Sequence, residues 1–299
     1  MDTRAASIVE RIPTHEGNVG GLPIRRALPT RARRMIGAWC FLDHIGPSTL
    51  NDGQAMRVAP HPHIGLQTFS WMIEGEVLHR DSLGCVQTIR PGQVNLMTAG
   101  RGVAHSEEMQ SETRHLHMVQ LWIALPEVFR TIAPAFVNYP TLPVVRRDGV
   151  EITVLAGTHA DASAPTQVYS PLVGLDIVAT APAQTALPLE PRYEHGLLVL
   201  EGEAEVDGQC AVPGTLLYLG ARRDVLPLRM TSAARLLLLG GAPFEEDVLL
   251  WWNFVARRPE ELRQAAVDWN AGRGPFGRVE GYEGEPLAAP DPAGIRLTR

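Results

Sequence analysis

Ile73-Glu-Gly-Glu-Val77, followed by Arg90-Pro-Gly-Gln-Val94-Asn-Leu-Met-Thr-Ala-Gly100, has a second copy downstream: Leu200-Glu-Gly-Glu-Ala204, then Val212-Pro-Gly-Thr-Leu216-Leu-Tyr-Leu-Gly220. Each copy reads as strand, glycine turn, strand, Pro-Gly turn, strand. The glycines suit tight corners, because a residue without Cβ adopts positive φ at little steric cost. Recurrence of such a unit points to two copies of one fold. Around the repeat, short runs rich in Val, Leu, Ile and Thr are punctuated by 28 Gly and 24 Pro. The runs at 67–73, 94–98, 119–124, 151–156, 172–180, 196–200, 215–219 and 236–239 are expected strands. Short strands with frequent turns make barrels or sandwiches.

The length, 299 residues, is about twice that of a typical domain, which agrees with a duplication. The segment 133–148, with Pro134, Pro140 and Pro143, is expected to be an extended crossover between the copies, since proline at these intervals forbids a helix. The expected domains are therefore 1–135, one barrel, and 136–299, a second barrel with a terminal helix. That helix is read at 259–271, with Pro259 in its first turn, Glu260 and Glu261 at its positive end, and Gly272 as its stop.

A net charge of −6 speaks against a broad electrostatic grip on nucleic acid, which needs a basic stripe. Arg25, Arg26, Arg31, Arg33 and Arg34 form a local exception, read as a solvated surface with nearby carboxylate partners. The three cysteines, Cys40, Cys85 and Cys210, are odd in number and far apart, so no disulfide framework is expected and a reducing cytoplasm fits. The opening MDTRAASIVERIP has no apolar core behind a basic start, so no signal peptide is expected, and no window is apolar enough to span a membrane.

The chemistry lies in two short stretches. Pro60-His61-Pro62-His63 precedes a strand-like run. Alternate residues of a strand share a face, so His61, His63, Gly65, Gln67, Phe69, Trp71 and Ile73 are expected to line one side. Forty residues on, Gly100-Arg-Gly-Val-Ala-His105-Ser-Glu107 places His105 and Glu107 on one face after a glycine-marked turn. Three imidazoles and a carboxylate supply four ligands for one divalent transition metal and leave positions open on a six-coordinate ion. Glu108, on the opposite face, should not reach the same ion. His79, Arg80 and Asp81 are read as solvated turn residues at the rim. In the second copy, Pro188 and Glu190 stand where the first His pair would be, and Pro227 and Arg229 stand opposite His105 and Glu107. That barrel is expected to be structural.

With these residues in view, the sequence resembles the pirin family of the cupin superfamily. The resemblance rests on His61-Pro-His-Ile-Gly65, FSWMIEG at 69–75, HRDSLG at 79–84, Pro91-Gly92, Met97-Thr-Ala-Gly-Arg-Gly-Val-Ala-His105 and Gln120-Leu-Trp122. It implies an all-β bicupin, two tandem jelly-roll-like barrels, with His61, His63, His105 and Glu107 as ligands. The chain departs from many pirins at Ile64, where they carry Arg, and at Gln67, where they carry Glu.

The resemblance also implies an activity of the quercetin 2,3-dioxygenase type, in which a flavonol-like aromatic substrate and dioxygen react at the metal. Iron(II) is expected ahead of other first-row ions, and Glu107 is expected to act as ligand and catalytic base. Phe69, Trp71 and Met97 would form dry walls. Two alternatives stay open: a metal-dependent regulator that docks on an enzyme or transcription factor, and cupin chemistry on another enol.

Overall fold

The structure is a computed structural model that describes residues 10–50, 55–110, 114–206 and 208–294. Most of the stretch read above for a signal peptide, residues 1–9, lies outside them. The chain is mostly β, with two cupin barrels and one α-helix, Pro259–Asn270. Pro259 opens that helix, with Glu260 and Glu261 in its first turn.

The compact units are not the two sequential halves. One gathers Arg25–His44 and Thr141–Phe244 with the segment up to Glu16; the other gathers Gly17–Ile24, Ile45–Pro140 and the chain from Glu245 onward. Pairing and packing of the end segments account for part of this division. Glu10–Pro13 adds an antiparallel edge to Thr215–Gly220 in the first of these units. The residues from Glu245 pack their hairpin and helix on the second, where Phe254, Leu262, Ala266 and Phe276 are buried together. The proline-rich segment 133–148 is extended, but it is not a free link. Ala135–Tyr139 pairs with Val94–Thr98, and Val144–Arg147 pairs with Val150–Ala156.

The duplication is visible in the topology. In the unit that contains the histidines, a four-stranded sheet runs Arg57–His63, Val103–Met109, Val77–Asp81, Val86–Ile89. The other unit repeats that order as Ala183–Pro188, Val225–Met230, Ala204–Val206, Gln209–Ala211. The larger sheets agree as well: Val94–Thr98, Leu66–Glu74, His115–Ala124 and Trp39–Thr49 correspond to Thr215–Gly220, Glu194–Glu201, Ala234–Gly241 and Leu172–Ala179. Chemically the copies differ. The second barrel closes around Leu175, Leu197, Val199, Leu217, Leu236 and Leu238. On the ladder that corresponds to the histidine pair, Pro227 faces Ala186 and Arg229 faces Gln184.

Candidate metal centre

His61 and His63 end one strand, and His105 sits on the antiparallel strand beside it, directly opposite His61. Residues directly opposite across a ladder share a face, so the two segments converge as their spacing predicts. The ligand nitrogens of His61, His63 and His105 lie within 4.8 Å of one another, and all three residues are buried.

Glycine builds the convergence. Gly65 follows the histidine pair at φ +68°, and a Cβ there would stand 2.2 Å from the Val255 carbonyl oxygen. Its N–H donates to the Gly100 carbonyl at 2.9 Å, which ties the end of the first segment to the turn that launches the second.

Hydrogen bonds fix which nitrogen of each ring is available. His61 directs Nδ1 to the Ala59 carbonyl at 2.9 Å, and His63 directs Nδ1 to the Asn253 carbonyl at 3.0 Å. Carbonyl oxygens only accept, so both rings carry their proton on Nδ1 and present a bare Nε2. His105 sends Nδ1 toward His79, and its Nε2 stands 3.0 Å from Nε2 of His63. Burial pushes the pKa of His61 down to about 4. Burial, with neighbouring imidazoles adding to it, holds His63 and His105 well below the ordinary imidazole range. These rings are therefore neutral near pH 7, which is the ligating form.

This donor set fits a transition metal. With both Nε2 atoms bare, two lone pairs 3.0 Å apart repel unless a cation lies between them. Two nitrogens at right angles, each about 2.1 Å from one ion, would be separated by about 3 Å.

Glu107 lies one strand period beyond His105 and directly opposite His79, on the same face. It stands outside the compact trio of ligand nitrogens. Its carboxyl makes no hydrogen bond or ion pair with the described residues, and burial pushes its pKa up to about 7. Glu108 points the other way, as the period requires, and accepts from Arg57 Nη2 at 3.1 Å and Arg80 Nη1 at 2.7 Å.

The walls differ from the sequence expectation. The period-two count cannot run through Gly65, because Arg57–His63 and Leu66–Glu74 belong to different sheets. The even-numbered residues of the second strand take the histidine side. The ring of Trp122 meets His63 edge-on at 5.2 Å, and Trp122 is paired with Thr68. Phe136 stacks on His79 at 4.3 Å and is paired with Met97, itself opposite Thr68. One row on the histidine side therefore reads Phe136, Met97, Thr68, Trp122. The next reads Asn138, Asn95, Ser70, Gln120, joined by Asn138 Nδ2 to Asn95 Oδ1 at 2.8 Å and Ser70 Oγ to Gln120 Oε1 at 2.7 Å. Phe69 and Trp71 lie on the opposite face, as does Gln67, whose amide nitrogen donates to Thr98 Oγ1 at 2.9 Å. Of the three expected wall residues, only Met97 is on the histidine side.

Three further contributors are not apparent in the sequence. His79 and Asp81, read as solvated, are 3% and 2% exposed and stand behind His105. Asn253 acts through its main-chain carbonyl, which leaves no side-chain signal. Elsewhere the arginine-rich stretch finds the carboxylates expected of it. Arg26 grips Asp43 through two hydrogen bonds, and Arg33 reaches Glu10 while covering the Tyr218 ring. All three cysteines are free, and no helix among the described residues is long and apolar enough to cross a membrane.

Comparison with known proteins agrees with this architecture. Residues 21–123 match the Pirin family, and residues 174–275 match the Pirin C-terminal cupin domain. A Pseudomonas aeruginosa protein named "Putative quercetin 2,3-dioxygenase PA1205" is 51% identical over 288 residues, covering 96% of this chain and 91% of that one. The crystal structure of a quercetin 2,3-dioxygenase from Acinetobacter baumannii superposes with a TM-score of 0.93 at 47% identity, covering 94% of this chain and 95% of that one. The Escherichia coli pirin YhhW, solved in complex with nickel(II), shares the fold with a TM-score of 0.64 at 20% identity, covering 79% of this chain and 100% of that one. The duplicated barrel, the histidine trio held in its first copy and the match along nearly the whole chain lead to one conclusion: this chain belongs to the pirin family.

Proposed function

We propose that this chain is a metal-dependent dioxygenase that opens the heterocycle of a flavonol or related enol, in the manner of quercetin 2,3-dioxygenase. The observation that carries the reading is the trio of buried, neutral imidazoles whose ligand nitrogens lie within 4.8 Å of one another while each Nδ1 has a partner of its own. The names borne by the similar Pseudomonas and Acinetobacter proteins support the choice of reaction.

His61, His63 and His105 would hold the ion, and Glu107 would add the anionic ligand that imidazoles alone cannot supply. A divalent first-row ion, iron(II) in the first instance, supplies Lewis acidity and one-electron redox chemistry when bound. Glu107 has a second task. A carboxylate on the histidine face with no other hydrogen-bond partner among the described residues is suited to take the proton of an enolic hydroxyl. Trp122 and Phe136 offer flat apolar surfaces to an aromatic ring system. The Asn138, Asn95, Ser70 and Gln120 row offers amide and hydroxyl groups to the hydroxyls of a polyphenol.

The test is anaerobic loading with iron(II), followed by oxygen uptake with quercetin, in wild type and Glu107→Ala. Uptake that needs both metal and Glu107 is the expected result. Metal binding without uptake across several flavonols would reject the enzyme and favour the reading in which the loaded protein docks on an enzyme or transcription factor.

A further inference from the structure

Among the three imidazoles, His105 is wired differently. His61 and His63 rest Nδ1 on main-chain carbonyls, which are neutral acceptors. His105 Nδ1 lies 3.3 Å from Nδ1 of His79, and the other nitrogen of His79 lies 3.0 Å from Asp81 Oδ2. Asp81 Oδ1 in turn accepts the main-chain N–H groups of Leu83 at 2.9 Å and Cys85 at 3.0 Å. The file His105, His79, Asp81 is buried throughout, at 2%, 3% and 2% exposure.

The protons along this file follow from its acceptor end. Asp81 Oδ2 accepts, so the proton of His79 sits on Nε2. In a neutral His79 ring Nδ1 is then an acceptor, and the proton of His105 sits on Nδ1. His105 Nε2 is left bare and aimed at His63 Nε2, 3.0 Å away. Neither outer residue is free to turn. Asp81 is pinned by two amides, and the His79 ring is stacked on Phe136 at 16°.

We propose that His79 and Asp81 are positioning residues for a bound metal: they lock the tautomer of His105 and pass the negative charge of Asp81 into that ligand. The proposal rests on the metal reading above and not on the identity of the substrate. A carboxylate behind an imidazole makes the ring a stronger electron donor, which raises metal affinity and favours the higher oxidation state.

The experiment uses the full-length chain as wild type, His79→Phe, Asp81→Asn and the double variant. Zinc(II) affinity is measured by chelator competition, and the potential of the iron-loaded protein is measured by redox titration. His79→Phe keeps ring volume and the stack on Phe136, and removes both nitrogens. It is expected to weaken zinc(II) binding by about 10- to 100-fold and to raise the iron potential. Asp81→Asn keeps an acceptor for the turn amides but presents an amide N–H to His79, which reverses every proton in the file. It is expected to weaken binding at least as much. The losses should not add in the double variant, because the two residues act in series.

Additive losses would mean two separate structural roles and would overturn the proposal, as would wild-type affinity and potential in His79→Phe. If Asp81→Asn fails to fold, His79→Phe decides, since it leaves the turn intact. Wild-type protein that binds no metal overturns the metal reading and the relay with it. Wild type that binds while His79→Phe is unchanged overturns the relay alone.

Discussion

At the scale of the residue, the divided roles of His61, His63, His105 and Glu107 follow from burial acting on two opposite kinds of acid. Taking an imidazole out of water disfavours its cation, and taking a carboxyl out of water disfavours its anion. The three rings therefore stay neutral while Glu107 holds its proton up to about pH 7. Under the proposed ligation, removing any one ring deletes a ligand, so His63→Ala or His105→Ala should lower metal affinity by at least about 100-fold, measured by metal competition, with the metal-free fold retained. The same shifts govern stability without metal. The folded pKa of Glu107 is raised, so its contribution is fully present below the unfolded value and is lost as pH rises through about 7. The histidines are depressed, so theirs is present above the usual imidazole value and is lost as pH falls below it. Glu107→Gln should therefore remove an alkaline loss on the order of 2 kcal/mol between about pH 5 and about pH 8.5, read from denaturant midpoints of metal-free protein. The convergence of the three histidines is legible in the sequence because two-residue spacing is a property of a strand, whatever it packs against, and the same spacing gives the face of Glu107. Asn253 is not legible, because any residue at that position carries the same carbonyl.

At the scale of the element, Gly65 is where a local rule gives way to a tertiary one. The run from His61 to Ile73 looks like one strand. A positive φ and the near contact with the Val255 carbonyl divide it, and the second half turns its odd-numbered residues away from the histidines. That is why Phe69 and Trp71 are misplaced by periodicity, while the strand at Val94–Thr98 is found to the residue. Gly65→Ala should cost roughly 2–4 kcal/mol from left-handed strain and the clash with Val255, seen as a lower denaturant midpoint, and should weaken metal binding in the folded fraction. The C-terminal hairpin is a second such element. Phe254 is fully buried beside Phe276, and the preceding residue supplies the carbonyl that orients His63. Phe254→Ala should lose roughly 3–5 kcal/mol of stability and reduce metal affinity, although residue 254 is not a ligand.

At the scale of the molecule, duplication leaves a buried histidine trio in one copy and an apolar core in the other. Strand order alone cannot tell them apart, since both copies run through the same sequence of neighbours. The difference lies in what points inward: imidazoles in one, and Leu175, Leu197, Leu217 and Leu238 in the other. The repeat at 73–100 and 200–220 made the two barrels readable in advance. The exchange of end segments was not readable, because edge pairing of Glu10–Pro13 and docking of the chain beyond Glu245 depend on long-range contacts with no local pattern. Binding to the native state alone should raise the melting temperature, by the equivalent of about 2.7 kcal/mol at a hundredfold excess over Kd, and a chelator should reverse the shift. The most direct measurement is an anomalous difference map from crystals of metal-loaded protein, with data collected on both sides of the metal's absorption edge. One peak per chain about 2.1 Å from Nε2 of His61, His63 and His105 is the expected result. A peak elsewhere, or none in protein that has been exposed to iron(II), nickel(II) and zinc(II), would contradict it.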